Sequence, residues 1–223
     1  MPGKVAASIL SADFARLGEQ IRLVEPHADL VHVDVMDAHF VPPLSIGPVV
    51  VGAIRRSTDL PLHCHLMVDR PEAMLRELAD VHVDIATFHV EAVDEPALVI
   101  GKIESLGMRP GLALSPDTPV EEVFPHVERL DRVLVMSVRP GWSGQEFLEG
   151  TLPRLGAIRA EIERQGLSVE VEVDGGINAE TGPRCLAAGA TVLAAASSIF
   201  KAVDPAEATR RLSAIARTQS GRG

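Results

Sequence analysis

Two short stretches of this chain set histidines, and in the first of them an acid, on one face: Val31-His32-Val33-Asp34-Val35-Met36-Asp37 and Leu62-His63-Cys64-His65-Leu66-Met67. In an extended strand, residues two apart point to the same side. His32, Asp34 and Met36 therefore share a face, as do His63, His65 and Met67. A third stretch, Val169-Glu170-Val171-Glu172-Val173-Asp174-Gly175-Gly176, brings another acid to another strand end. Two imidazoles and two carboxylates, from His32, His65, Asp34 and Asp174, form a donor set for a divalent first-row metal such as zinc, manganese or iron. Taken singly, each has a plainer role: a strand histidine is usually hydrogen-bonded core, and an aspartate before two glycines starts a turn. Together at one place they favour the metal, because a buried carboxylate must find a cation or a proton. His63 lies about two residues deeper than His65 and reads as a core or supporting group. Asp37 points away from Asp34 and suits a loop or cap. Glu172 sits one layer below Asp174, where it can hold a ligand through an outer hydrogen bond. Met36, Met67 and Met136 stand at or beside the same strand ends as an adaptable apolar lining.

The elements that must position these groups alternate regularly. Strand-like runs fall at 5–9, 30–35, 62–67, 85–89, 111–114, 132–136, 169–174 and 192–195. Amphipathic, helix-like runs fall at 14–24, 48–56, 72–79, 97–106, 120–127, 152–165, 181–188 and 205–217. Eight such units predict a (β/α)8 TIM barrel, with eight parallel strands buried on both faces. We expect a single catalytic domain over 1–217 and a disordered C-terminal tail over 218–223. An open doubly wound sheet is the alternative, but no G-x-G-x-x-G follows the first strand. A barrel gathers its chemistry at the carboxyl ends of its strands. Ser8, His32, Asp34, His65, His89, Met136, Asp174 and Ser197 all fall there.

Composition narrows the ligand. The 223 residues carry a formal charge of −10, no tyrosine, six Phe and a single Trp, Trp142. That balance opposes a nucleic-acid partner and leaves few rings for base stacking. No apolar run approaches the ~20 residues needed to span a bilayer, so no membrane partner is expected. The first ten residues lack the pattern of a secretion signal, and Cys64 and Cys185 form no C-x-x-C pair, so a reducing cytoplasm is expected. A small phosphate would have to be held by local backbone dipoles. Three segments could do so: Arg139-Pro140-Gly141-Trp142-Ser143-Gly144-Gln145 after the sixth strand, Asp174-Gly175-Gly176 after the seventh, and Ala195-Ala196-Ser197-Ser198 after the eighth.

The chain resembles the ribulose-phosphate 3-epimerase family. The likeness runs from Ser8-Ile9-Leu10-Ser11-Ala12-Asp13-Phe14 to Ser197-Ser198-Ile199-Phe200. It is carried by H-V-D-V-M-D, F-V-P, H-L-M-V, F-H-V-E, V-M-S-V-R-P-G-W-S-G-Q-E-F and V-E-V-D-G-G-I, in the family's order and spacing. The resemblance implies that His32, Asp34, His65 and Asp174 bind one divalent metal (zinc, iron, manganese or cobalt) with no organic cofactor. It implies that Asp34 and Asp174 are also the acid/base pair, and that Ser8 and His65 touch substrate. Gly141, Trp142, Ser143, Gly144, Gly175, Gly176, Ala196 and Ser197 would surround its phosphate. A homo-oligomer is implied as well, because family members assemble to varying degrees. Four positions depart from the pattern: Ala38 and Pro43 stand where the family usually has glycine and asparagine, and Ser143 and Ala196 each replace a glycine. Alanine at 196 fits only if its φ is negative.

The implied reaction inverts C3 of a ketose phosphate, D-ribulose 5-phosphate to D-xylulose 5-phosphate, by two-base proton transfer through a metal-stabilised enediolate. A six-carbon ketose phosphate such as allulose 6-phosphate is the alternative substrate, and a non-catalytic metal- or phosphate-binding barrel the alternative class. A Schiff-base aldolase would need a lysine at a strand end inside the barrel. The three lysines, Lys4, Lys102 and Lys201, fall at a strand start, within a helix and after the last phosphate segment. A phosphosugar decarboxylase of similar fold would want D-x-K-x-x-D, whereas this chain has Asp34-Val35-Met36-Asp37.

Overall fold

The structure is a computed structural model that describes residues 3–218. Eight parallel strands close into a barrel in chain order: β1 (Lys4–Ser8), β2 (Leu30–Met36), β3 (Leu62–Met67), β4 (Ile85–His89), β5 (Arg109–Leu114), β6 (Arg132–Met136), β7 (Glu170–Asp174) and β8 (Val192–Ala195). The helices around them are α1 (Leu17–Val24), α2 (Pro48–Arg55), α3 (Leu75–Asp80), α4 (Pro96–Ser105), α5 (Thr151–Arg164), α6 (Thr181–Ala187), α7 (Ser197–Phe200) and α8 (Pro205–Thr218). The expected TIM barrel is therefore observed. Thr218, expected to open the tail, is the last residue of α8, and 219–223 lie outside the described residues.

The alternation of each strand divides its side chains between two interiors. Val31, Val33 and Val35 on β2, Leu62, Cys64 and Leu66 on β3, and Val171 and Val173 on β7 face outward into the main core. There they meet helix residues such as Ile21, Val51, Ile54, Ile100, Leu155 and Ile158. Full burial of one such side chain stabilises the fold by ~1.5–3 kcal/mol, which is what holds the helices on the sheet. Helix starts are set locally. Proline opens α2, α4 and α8, where a missing N–H costs nothing. Asp204 caps α8 by accepting from the Glu207 N–H at 3.0 Å.

The inward positions are unusually polar. A small apolar plug of Ala6, Leu30, Ile85, Val192 and Ala194 lies inside. Arg132, fully buried, donates to Glu170 at 2.7 Å and to Glu172. A buried guanidinium is tolerable only with such partners. The register β2–β3 sets Asp34 beside His65 and Met36 beside Met67, while β6–β7 sets Met136 beside Asp174.

Four expectations need correction at the edges. The run 120–127 is not an α-helix but two 3₁₀ segments, Val120–Glu122 and Phe124–Arg129. Pro125 has no N–H and its ring collides with the carbonyl four residues back, so an α-helix cannot continue through it. Phe14–Arg16 and Pro71–Ala73 are likewise 3₁₀ turns that precede α1 and α3. Ile9 leaves the first strand to begin the 3₁₀ turn Ile9–Ser11.

Candidate functional site

Four donor atoms converge at the carboxyl end of the barrel. His32 Nε2 and His65 Nδ1 lie 3.3 and 3.2 Å from Asp34 Oδ1, and 3.7 and 3.8 Å from Asp174 Oδ2. One ligand atom from each of the four residues lies within 4.8 Å of every other. Bonds of ~2.0–2.1 Å in a tetrahedral site put neighbouring ligand atoms about 3.3–3.4 Å apart. The nest therefore fits a divalent cation in size as well as in donor chemistry.

Asp34 and His32 are each held by a partner of their own. Ser8 Oγ donates to Asp34 Oδ2 at 2.8 Å. His32 Nδ1 lies 2.9 Å from Glu172 Oε1, so Nδ1 carries a proton; burial disfavours a second one on Nε2, but the Asp34, Glu172 and Asp174 carboxylates outweigh it and raise the ring's proton affinity until a cation takes that place. Glu172 also faces Arg132 and, at 3.2 Å, His63 Nδ1. A second cluster of His32, His63 and Glu172 is compact enough for an ion, but the Arg132 guanidinium already occupies its carboxylate. His63 Nε2 is spent on Thr87 Oγ1 at 2.7 Å, the supporting place its depth implied. Asp37 turns away and accepts from the N–H groups of His39, Phe40 and Asp69 at 2.8, 2.9 and 2.8 Å. It is a loop anchor.

The two aspartates are driven in opposite directions. Burial alone would raise Asp34, yet His32 and His65 outweigh it and hold the carboxyl far below the ordinary range. Asp174 is raised, first by burial and then by the negative charges of Asp34 and Glu172, with His32 opposing. His65 falls to about 4, chiefly because burial disfavours its charged form. It is a neutral imidazole, as a ligand must be.

Above the nest lies a cavity of about 460 Å³, counted to its open mouth. Ser8, Met36, Met67 and Met136 line it together with Asp34 and Asp174. Gly141, Trp142, Ser143, Gly144, Gly175, Gly176, Ala196 and Ser197 complete the wall. His32 and His65 do not reach it; both are fully buried beneath the floor. Trp142 is a rim group with 62% of its surface exposed. Among the described residues the lining contains no lysine or arginine, so an anion here meets backbone N–H groups and neutral side-chain donors such as those of Ser143, Gln145 and Ser197. Gly175 and Gly176 take φ of +115° and +62°, and a Cβ on Gly176 would come within 2.8 Å of the Phe147 nitrogen. Only glycine allows this turn. Asn178 then caps the following turn by accepting from the Glu180 and Thr181 N–H groups.

The four departures resolve differently. Ala196 has φ −109°, so alanine is unstrained there. Ala38 has φ +61°, the left-handed region that favours the glycine it replaces. Pro43 accepts from the Ala38 N–H at 3.1 Å and packs near Gly141. Ser143 meets Ser11 across the mouth, Oγ to Oγ at 3.0 Å. Sequence reasoning missed Leu10, Val138, Ile177 and Ala194 on the wall, while Gln145 falls in the expected segment after the sixth strand. Leu10, Val138 and Ile177 each stand two to three residues beyond a strand end, a position that would have flagged them.

The pattern of the family described as "Ribulose-phosphate 3 epimerase family" matches residues 4–200. The chain is 43% identical over 199 residues to the ribulose-phosphate 3-epimerase of Bacillus subtilis (strain 168), covering 88% of this chain and 92% of that protein. It is 41% identical over 217 residues to the ribulose-phosphate 3-epimerase of Mycobacterium bovis, covering 97% and 93%. Among solved structures, KGPDC from Streptococcus mutans superposes with a TM-score of 0.74 at 16% identity, over 99% of this chain and 100% of that one. That likeness concerns the fold alone. With its barrel, its nest of donors and its relatives, this chain belongs to the ribulose-phosphate 3-epimerase family.

Proposed function

We propose that the chain is a metal-dependent isomerase that inverts C3 of D-ribulose 5-phosphate to give D-xylulose 5-phosphate, a step of the pentose phosphate pathway. The observation that carries this reading is the pair Asp34 and Asp174. They come from separate strands, border one cavity, and have their proton affinities shifted in opposite directions. Inversion at a carbon next to a ketone needs one group to lift a proton and another to return one from the opposite side of a flat enediolate. Asp34, ionised, is the base. Asp174, with its raised affinity for a proton, is the acid. After one turnover their states are exchanged, and the reverse reaction starts from there. His32, Asp34, His65 and Asp174 would hold a divalent cation, which would supply Lewis acidity for the negative charge that develops during proton removal. Met36, Met67 and Met136 keep bulk water from the exposed carbanion face. The N–H groups of segments 141–144, 175–176 and 196–197 receive the phosphate.

The test is to incubate the metal-loaded protein in D₂O with D-ribulose 5-phosphate and, separately, allulose 6-phosphate. We expect turnover of the pentulose phosphate with deuterium at C3 of product. Faster turnover of allulose 6-phosphate would move the assignment to six-carbon substrates. Absence of both exchange and turnover would leave a binding barrel without chemistry.

A further inference from the structure

The F-H-V-E stretch at 88–91 stands outside the donor nest, and the epimerase reading gives it no task. The structure places its two polar groups in a line leading to His65. His89, fully buried at the end of β4, sets Nε2 2.9 Å from His65 Nε2. Its other nitrogen, Nδ1, lies 3.0 Å from Glu91 Oε2. The remaining oxygen, Glu91 Oε1, accepts from the Ser115 N–H at 2.7 Å and from Thr118 Oγ1. Arg154 fixes that loop in turn, donating to the Ser115 and Thr118 carbonyls at 2.8 and 2.7 Å. The Phe40 ring covers His89, with centroids 4.9 Å apart.

We infer that Glu91 and His89 are positioning residues that fix the tautomer of His65 and so aim its Nδ1 lone pair at the metal; this rests on the metal-site reading above. The direction follows from donor and acceptor counting. A carboxylate only accepts, so His89 Nδ1 carries a proton. A neutral His89 then has a bare Nε2, which can only accept. His65 Nε2 must therefore donate to it, and a neutral His65 that donates from Nε2 has a bare Nδ1. That atom is the one that lies 3.2 and 3.8 Å from Asp34 and Asp174. His32 is aimed by Glu172 in one step; His65 is aimed by Glu91 in two. Reversing the chain would bring a bare His89 Nδ1 against the Glu91 oxygen and put a proton on His65 where the cation belongs.

Glu91→Gln tests the direction. Its amide oxygen stays with Ser115 and Thr118, and its NH₂ then faces His89 and drives the chain backwards. We expect Zn²⁺ affinity, measured by competition with a chelator, to fall by about 10–100-fold. The lost turnover should return at high Zn²⁺, with KM for the sugar phosphate little changed. His89→Phe should fall by a similar factor, and Glu91→Asp by less. A second readout needs no variant: ¹⁵N shifts of the zinc-loaded wild type should show His65 protonated on Nε2 and His89 on Nδ1. A proton on Nδ1 of His65, or wild-type Zn²⁺ affinity in folded Glu91→Gln and His89→Phe, overturns the relay. His65→Ala separates the two readings. If it binds Zn²⁺ as tightly as wild type, the metal site itself is wrong. If it binds weakly while the relay variants do not, only the relay fails.

Discussion

The two sides of the catalytic mouth are built on opposite plans. On the β2–β3 side, Asp34 is locked: it is 3% exposed, receives the Ser8 hydroxyl, and lies within 3.3 Å of both imidazoles. On the β7 side, Asp174 is partly exposed, stands farther from the same rings, and is followed by two glycines in left-handed conformations. One carboxylate is fixed by many bonds and kept ionised. The other is partly buried and crowded by like charge, which raises its affinity for a proton. In the proposed mechanism a barrel thus obtains an acid and a base from one residue type by placing them on differently furnished strands.

Replacing each aspartate by asparagine gives the largest expected effect. Both Asp34→Asn and Asp174→Asn should lower turnover by at least ~10²–10⁴-fold, the usual worth of a positioned acid or base. The comparison predicts a difference in metal content: Asp34→Asn should lose the cation, while Asp174→Asn retains more of it. Equal loss in both, by elemental analysis, would erase the distinction between the two sides.

The pH dependence of stability sharpens it further. In metal-stripped protein, Asp34 is depressed, so its contribution is present above the ordinary aspartate value of about 3.9 and is lost as pH falls below it. Asp174 is raised, so its contribution is present below that value and is lost as pH rises through its folded value. Urea unfolding across this range should show stability declining above about pH 4 from Asp174, and Asp174→Asn should flatten that limb. Asp34→Asn should instead flatten the acid limb. Slopes of the reverse sign would contradict both assignments.

The smallest effect concerns the turns. The β7 side meets its positive φ with glycine, whereas the β2 loop meets φ +61° with Ala38. Ala38→Gly should stabilise the protein by about 1 kcal/mol and raise the unfolding temperature by roughly 2–4 °C. No gain by calorimetry would mean that the Asp37 and Pro43 hydrogen bonds already absorb the strain.

Period-two spacing made His32, Asp34, His65 and Asp174 legible, because inward positions in a strand are fixed by parity and the barrel closes them together. Eight repeating units made the fold legible for the same local reason. The Glu91 contacts were not readable, since they join the end of β4 to a loop after β5 that α5 holds in place. Nor was the Arg132 pairing with Glu170 and Glu172, which depends on which strands become neighbours. The left-handed backbone of Ala38 is not readable from alanine itself; only the glycine that the resembled family carries there hints at it. The 3₁₀ segments over Val120–Arg129 were within reach, because Pro125 stands in the middle of that run and forbids a continuous α-helix.

The packed plug of Leu30, Ile85 and Val192, with the ionic lock of Arg132, seals the bottom of the barrel. In the proposed reaction, protons and the sugar phosphate would then share the upper opening. The share of isotope that returns to the sugar, against the share that washes out, would report how freely solvent reaches that opening.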